Sequence, residues 1–135
     1  MSNPMFDVIQ SDLDELNEGL IGAVSSSVEL VNEVGTHLVT AGGKRIRPAL
    51  CLLSARGGSK FSLKKVLPLA EALELIHTAS LVHDDVIDDS ELRRGVTTIR
   101  KSFSDTASIL SGDYLVSEAV EILLNINIIQ DQIQE

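Results

Sequence analysis

From Leu63 to Leu81 the chain carries no glycine, and its apolar residues Leu63, Val66, Leu67, Ala70, Leu73, Ile76 and Leu81 fall mostly three or four positions apart. That spacing predicts a long helix with an apolar stripe, starting near Ser62, in which Pro68 comes early enough to be tolerated with a bend. Such a stripe has to be covered by other elements, and the rest of the chain offers more helices. Residues 4 to 18 and about 24 to 40 read as amphipathic segments parted near Gly19 and Gly22, the second carrying Val24, Val28, Val31, Val34 and Leu38. Gly42 and Gly43 break the pattern, and Pro48 restarts it in a first helical turn that leads to Gly57 and Gly58. A short helix around Thr98 to Phe103 follows, then a last one N-capped by Asp105 and reaching roughly Ile129. No segment alternates with period two for long enough to suggest a sheet. The expectation is an all-α bundle of six helices forming one domain over residues 1–135.

With 135 residues, 44% hydrophobic and 3% aromatic, the chain can bury one modest core. Its single cysteine, Cys51, excludes an internal disulfide framework, and the acidic N-terminal stretch lacks the basic start of a signal peptide, so a cytoplasmic location is expected. The apolar runs fall short of the roughly 20 residues that span a bilayer. A net charge of −9 argues against a nucleic-acid partner. The distribution of charge is more informative than its sum. All 11 Lys and Arg lie between Lys44 and Lys101, where only Glu71, Glu74, Asp84, Asp85, Asp88, Asp89 and Glu91 oppose them. Cations gathered beside an acid cluster suit a small, multiply charged anion bound partly by bases and partly through metal.

The acid cluster lies in "LVHDDVIDDSELRRG", Leu81 to Gly95. On a helix turning 100° per residue, His77, Leu81, Asp84 and Asp88 share one face, with Asp84 and Asp88 about 6 Å apart along the axis. Two carboxylates so placed can approach one hard cation, or two neighbouring ones, from the same side. Mg²⁺ fits, because it keeps waters and recruits phosphate oxygens for its other positions. Asp85 and Asp89 point about 100° away and read as supporting or solvent-facing groups. A solvated acidic helix end is the competing reading. Against it stand the unfavourable helix dipole, the like-charge pairs one turn apart, and the adjacent Arg93 and Arg94, whose guanidinium forks fit phosphate. An EF-hand does not fit, since the third and twelfth positions are Val86 and Gly95.

"GGKRIRP", Gly42 to Pro48, reads as an anion cradle: glycines admit a ligand close to the backbone, a helix start offers free N–H groups, and Lys44 and Arg47 add charge. It lacks the spacing of a Walker loop. His77, seven residues before Asp84, is read as a donor to anionic oxygen, with a core histidine as the alternative. Arg45, Cys51, Asp113 and Tyr114 have no spacing argument and are taken as structural; His83 is out of phase with the site.

In this order "GGKRIRPAL", "ELIHTASLVHDDVIDDSELRRG" and "ASILSGDYL" resemble the N-terminal half of a trans-type polyprenyl diphosphate synthase, from about residue 35 to 120. The resemblance implies an all-α bundle around a deep cavity, usually dimeric, that condenses isopentenyl diphosphate with an allylic diphosphate using Mg²⁺. It implies that Asp84 and Asp88 bind Mg²⁺ on the allylic diphosphate, with Asp85 supporting and Arg93 contacting the same group. Gly43, Lys44, Arg47, His77 and Arg94 would hold isopentenyl diphosphate. Small residues at Ala79 and Ser80, where the family uses bulk to stop growth, imply a medium- or long-chain product.

The family's second aspartate-rich motif does not follow Tyr114. The expectation is therefore half a cavity, inactive alone: either a fragment or truncated product of a synthase, or a chain in a homodimer or in a heteromer with a chain that supplies the rest. A non-catalytic or regulatory subunit pairing with a full-length synthase is the alternative. A terpene cyclase shares the aspartates but leaves "GGKRIRP" without a purpose.

Overall fold

The computed structural model describes residues 4–126 apart from Gly42, and of Met5 the backbone only. A 3₁₀ segment, Pro4–Ile9, leads into α1, Gln10–Val24. Then come α2, Glu29–Thr40; α3, Ile46–Arg56; and α4, Leu63–Ile87. A small hairpin, β1 (Leu92–Arg93) and β2 (Val96–Thr97), precedes α5, Ile99–Ser102, and α6, Asp105–Leu124.

The long helix is the axis of the bundle. α3, α6 and α1 all pack on α4, and its buried Ala70, Ala72, Leu75 and Ala79 meet Leu16 and Leu20 of α1, Ala49 and Leu52 of α3, and Leu115 and Ala119 of α6 in one core. The alanines let neighbouring helices approach closely. At Gly112 the helices come close enough that a β-carbon there would collide with the His83 ring of α4. Pro68 lies inside α4 without ending it.

Two ion pairs with buried carboxylates brace this core. Asp12, 1% exposed, accepts two hydrogen bonds from Arg56 at 2.6 and 2.8 Å, and the guanidinium stacks 4.6 Å from the Phe61 ring centroid. Arg45, in the left-handed region at φ 55, donates to Glu74 Oε1 at 2.8 Å, to Asn17 Oδ1 at 3.1 Å and to the Val39 carbonyl at 2.7 Å. All its hydrogen-bonding edges are engaged by three helices.

Several boundaries differ from those predicted. Gly19 and Gly22 do not separate helices; α1 runs through both to Val24, and α2 starts only at Glu29, after the turn around Ser25–Val28. The apolar stripe of α1 through Leu13, Leu16 and Leu20 is buried across those glycines, so packing overrides their helix-weakening effect. The last helix is capped by Ser104, whose hydroxyl accepts from the Ala107 N–H at 3.0 Å, rather than by Asp105. Its predicted end near Ile129 lies outside the described residues. The hairpin was not expected. Its two-residue strands are too short to show alternation, and its Arg94–Gly95 turn, with φ 53 and 77, has the doubly positive form that two-residue loops favour.

Candidate diphosphate site

A cleft of about 130 Å³ opens where the end of α2, the glycine loop, α3, α4 and the hairpin converge. Gly43, Lys44, Arg47, His77, Arg93 and Arg94 all line it, so the two motifs read from the sequence meet in one place. The α4 wall consists of Glu74, His77, Thr78, Leu81, Val82 and Asp85. Asp84 and Asp88 are not among the lining residues. They are exposed, on the margin between the cleft face and a neighbouring stripe of Leu69, Leu73, Ile76, Ser80 and Ile87, which is also open to solvent.

The acid cluster is sorted by its partners. Asp85, 5% exposed, accepts from Arg93 Nη2 at 2.7 Å and Nε at 3.1 Å. Asp89 accepts from Arg100 Nη2 at 3.0 Å, and the same guanidinium reaches Asp105 at 2.8 Å. Glu91 meets Lys101 Nζ at 3.2 Å. Among the described residues Asp84 and Asp88 have no cation within 4 Å. Their register is kept by the Asp88 N–H donating to the Asp84 carbonyl at 2.8 Å, with Asp88 capping the helix end. The dense acids are thus tolerable because three are neutralised locally, which leaves two free carboxylates one turn apart.

Of the two positions expected for Asp85, supporting or solvent-facing, it does not take the second: it is buried and paired with Arg93. Its partner Arg93 is held above the ordinary arginine range, first by that hydrogen bond and further by Coulomb attraction to Asp85, Asp84 and Asp88, against an opposing desolvation. His77 lines the cleft wall with one ring nitrogen already engaged. Arg47 Nη1 donates to its Nε2 at 3.0 Å, so that nitrogen accepts and only Nδ1 can donate elsewhere. Burial, and then Arg47, depress the His77 pKa; Arg94 and Arg93 add to this, and Glu74 opposes it. Lys44 and Arg94 make no salt bridge among the described residues, leaving their charge available to a ligand.

Residues without a spacing signal also shape the site. Arg45 anchors the glycine loop from behind, and His37, in the last turn of α2, lines the cleft and bonds to the hairpin. Arg100 and Lys101 could have been sought as counter-charges to the acids, since they follow within a dozen residues.

Among the described residues no group of three or more His, Cys, Asp or Glu side chains is placed to hold a metal by itself. Two carboxylates do suit a hard cation that takes its remaining ligands from water and substrate oxygens. No helix of the described residues is long and apolar enough to cross a membrane.

Residues 28–134 match the family described as polyprenyl synthetase. The chain belongs to that family. This polyprenyl synthetase chain is 43% identical over 122 residues to heptaprenyl diphosphate synthase component 2 of Bacillus subtilis (strain 168), covering 90% of the chain and 35% of that protein. It is 36% identical over 115 residues to octaprenyl diphosphate synthase of Escherichia coli (strain K12), covering 85% and 35% respectively. Among solved structures, the Caulobacter crescentus CB15 polyprenyl synthase complexed with calcium and isoprenyl diphosphate superposes with a TM-score of 0.84 at 34% identity, over 91% of this chain and 37% of that one. Heptaprenyl diphosphate synthase of Staphylococcus aureus gives 0.82 at 39% identity, over 86% and 37%. The polyprenyl synthetase chain therefore carries the isoprenoid-synthase bundle in part, spanning about a third of the curated relatives it matches.

Proposed function

We propose that this chain forms the N-terminal substrate-binding portion of a Mg²⁺-dependent polyprenyl diphosphate synthase, which joins isopentenyl diphosphate to an allylic diphosphate. The observation that carries the reading is the sorting of the acids: Asp84 and Asp88 stay unpaired at the rim of a cleft whose free charge is cationic.

In this reading the cleft takes isopentenyl diphosphate. Lys44, Arg47 and Arg94 face its phosphates, and His77 offers Nδ1–H while Arg47 holds the opposite ring nitrogen. The allylic diphosphate lies across the rim, with Arg93 beside it. Mg²⁺ held by Asp84 and Asp88 would supply neutralising charge to the diphosphate as it leaves. The allylic C–O bond breaks with its electron pair on that diphosphate, the isopentenyl double bond attacks the allylic carbon, and loss of a proton to the departed diphosphate restores an alkene. No protein nucleophile is needed, so what the chain contributes is position and electrostatics.

The exposed stripe of Leu69, Leu73, Ile76 and Ser80 begins beside Asp84 and supports a path for the growing tail. Of the two residues read as limiting length, Ala79 is buried in the core and only Ser80 lies on the stripe. With no bulk at Ser80 the path stays open, which supports a medium- or long-chain product. That stripe needs covering, so activity is assigned to an assembly, either a homodimer or a heteromer with a chain that supplies the rest of the cavity. The name "component 2" of the Bacillus subtilis relative is compatible with a heteromer.

The test is turnover by the intact protein in its native assembly, given Mg²⁺, isopentenyl diphosphate and a C10 to C20 allylic diphosphate. Asp84→Ala should abolish product. Undiminished turnover would move the chemistry to another chain and leave this one as a non-catalytic subunit.

A further inference from the structure

The hairpin that carries Arg93 and Arg94 cannot hold itself in place. Its strands contribute two residues each, and isolated hairpins of ordinary length are already marginal in water. Its turn also puts Arg94 at φ 53, a region that side chains disfavour. On the α4 side it is tied by Arg93 to Asp85 and by the Thr98 hydroxyl, which donates to the Ser90 carbonyl at 2.9 Å.

The other edge has a different anchor. Arg93 pairs with Val96 across the two-residue turn, and the Thr98 N–H donates to the Glu91 carbonyl at 3.0 Å. The intervening pair, Leu92 with Thr97, is therefore of the wide type, and the Thr97 carbonyl points away from β1. His37 Nε2 stands 3.1 Å from that oxygen. A carbonyl only accepts, so Nε2 carries the hydrogen. His37 belongs to α2, which packs on α1 and α6, so this bond joins the hairpin to a part of the bundle that its other ties do not reach.

We propose that His37 is a positioning residue for the anion cleft: by donating to the Thr97 carbonyl it fixes the free edge of the hairpin, and with it the direction of Arg93 and Arg94. The proposal rests on the reading of the cleft as a diphosphate site, and two readouts separate the two ideas. On the intact protein in its native assembly, amide exchange at Thr98 reports the tether without any ligand. Binding of inorganic pyrophosphate with metal withheld reports the cleft.

His37→Phe keeps a ring and loses the donor, His37→Asn has a donor that falls short, and His37→Gln places an amide N–H near the reach of Nε2. Phe and Asn should each speed Thr98 exchange about five-fold and weaken pyrophosphate binding about five-fold, the scale of one net hydrogen bond, with Gln restoring both to within about twofold. Should the Phe variant fail to fold, Asn against Gln makes the same comparison. Unchanged exchange in the donor-less variants overturns the tether, and faster exchange with unchanged binding overturns the positioning role. A wild-type protein that takes up no pyrophosphate overturns the diphosphate reading, while the exchange result still decides whether His37 holds the hairpin.

Discussion

The guanidinium of Arg94 rests where a side chain on Gly43 would have to begin: a β-carbon there would collide with Nη1 and crowd Cζ and Nη2. Gly43 is not among the positive-φ residues, so closeness to Arg94, rather than backbone conformation, is what requires glycine at this position. Gly43→Ala should displace the flexible arginine while leaving the fold within about 1 kcal/mol of wild type. Pyrophosphate affinity should fall about tenfold, a lost charge-assisted contact, as read by titration calorimetry. Wild-type affinity in the alanine variant would remove Arg94 from the ligand's surroundings.

The acids of the cluster should respond to neutralisation with opposite signs. Asp84→Asn and Asp88→Asn each remove a like charge at a helix C-terminus and should stabilise the chain by about 0.3–1 kcal/mol in urea denaturation. The same changes should lower Mg²⁺-dependent turnover of the assembled protein at least a hundredfold, which is about 2.7 kcal/mol of transition-state stabilisation. Asp85→Asn, by contrast, breaks its pair with Arg93 and should destabilise by about 1–2 kcal/mol, a figure kept low because Arg93 is partly open to water. Destabilisation by all three would mean that Asp84 and Asp88 have partners of their own.

Arg45 should matter more to the fold than any other cation lining the cleft. Arg45→Met leaves Glu74, 5% exposed, as an uncompensated buried charge, with an expected loss of about 3–5 kcal/mol. Adding Glu74→Leu should recover most of that loss, because the cost lies in the orphaned carboxylate. A double-mutant cycle by thermal unfolding checks this. An additive pair would show that the ion pair is not the source.

His77 gives the stability a pH dependence of definite sign. Its pKa is depressed in the folded chain, by burial first and the Arg47 charge second, whereas the unfolded side chain titrates near its ordinary 6.5. As pH falls below that value the unfolded state takes up a proton that the folded state resists, so stability declines until the folded histidine titrates too. At pH 7 and above its contribution is flat. Unfolding curves between pH 5 and 8 should show this slope in wild type and lose it in His77→Gln. An equal slope in both would place the titrating group elsewhere.

The periodicity of Leu63 to Leu81 was enough to find the axial helix, although only part of that stripe is packed: Ala70 is buried and Leu63, Val66 and Leu67 rest on the core, while Leu73 and Ile76 are exposed. The glycines of α1 were misleading for a physical reason: burial of Leu13, Leu16 and Leu20 outweighs a local preference that sequence alone weighs too heavily. The two motifs that meet at the cleft, "GGKRIRP" and the acid run, were legible as dense charge of both signs. Which acid pairs with which base was not. Asp84 and Asp85 differ by one position, and only the folded loop, with Arg93 and Arg100 turned back on the helix, tells the free carboxylate from the neutralised ones. The hairpin was hidden by its own brevity, and His37 by a contact 60 residues away along the chain.

Because Asp84 and the row of Leu73, Ile76 and Ser80 stand on one uninterrupted helix, the proposed grip on the polar head and the proposed path for the hydrocarbon cannot be adjusted independently. A tilt or a quarter-turn of that rod swings both at once. Variants selected for longer or shorter products should therefore carry a mechanical signature at the far end, visible as altered metal requirement even when the substituted residue lies two turns from either carboxylate.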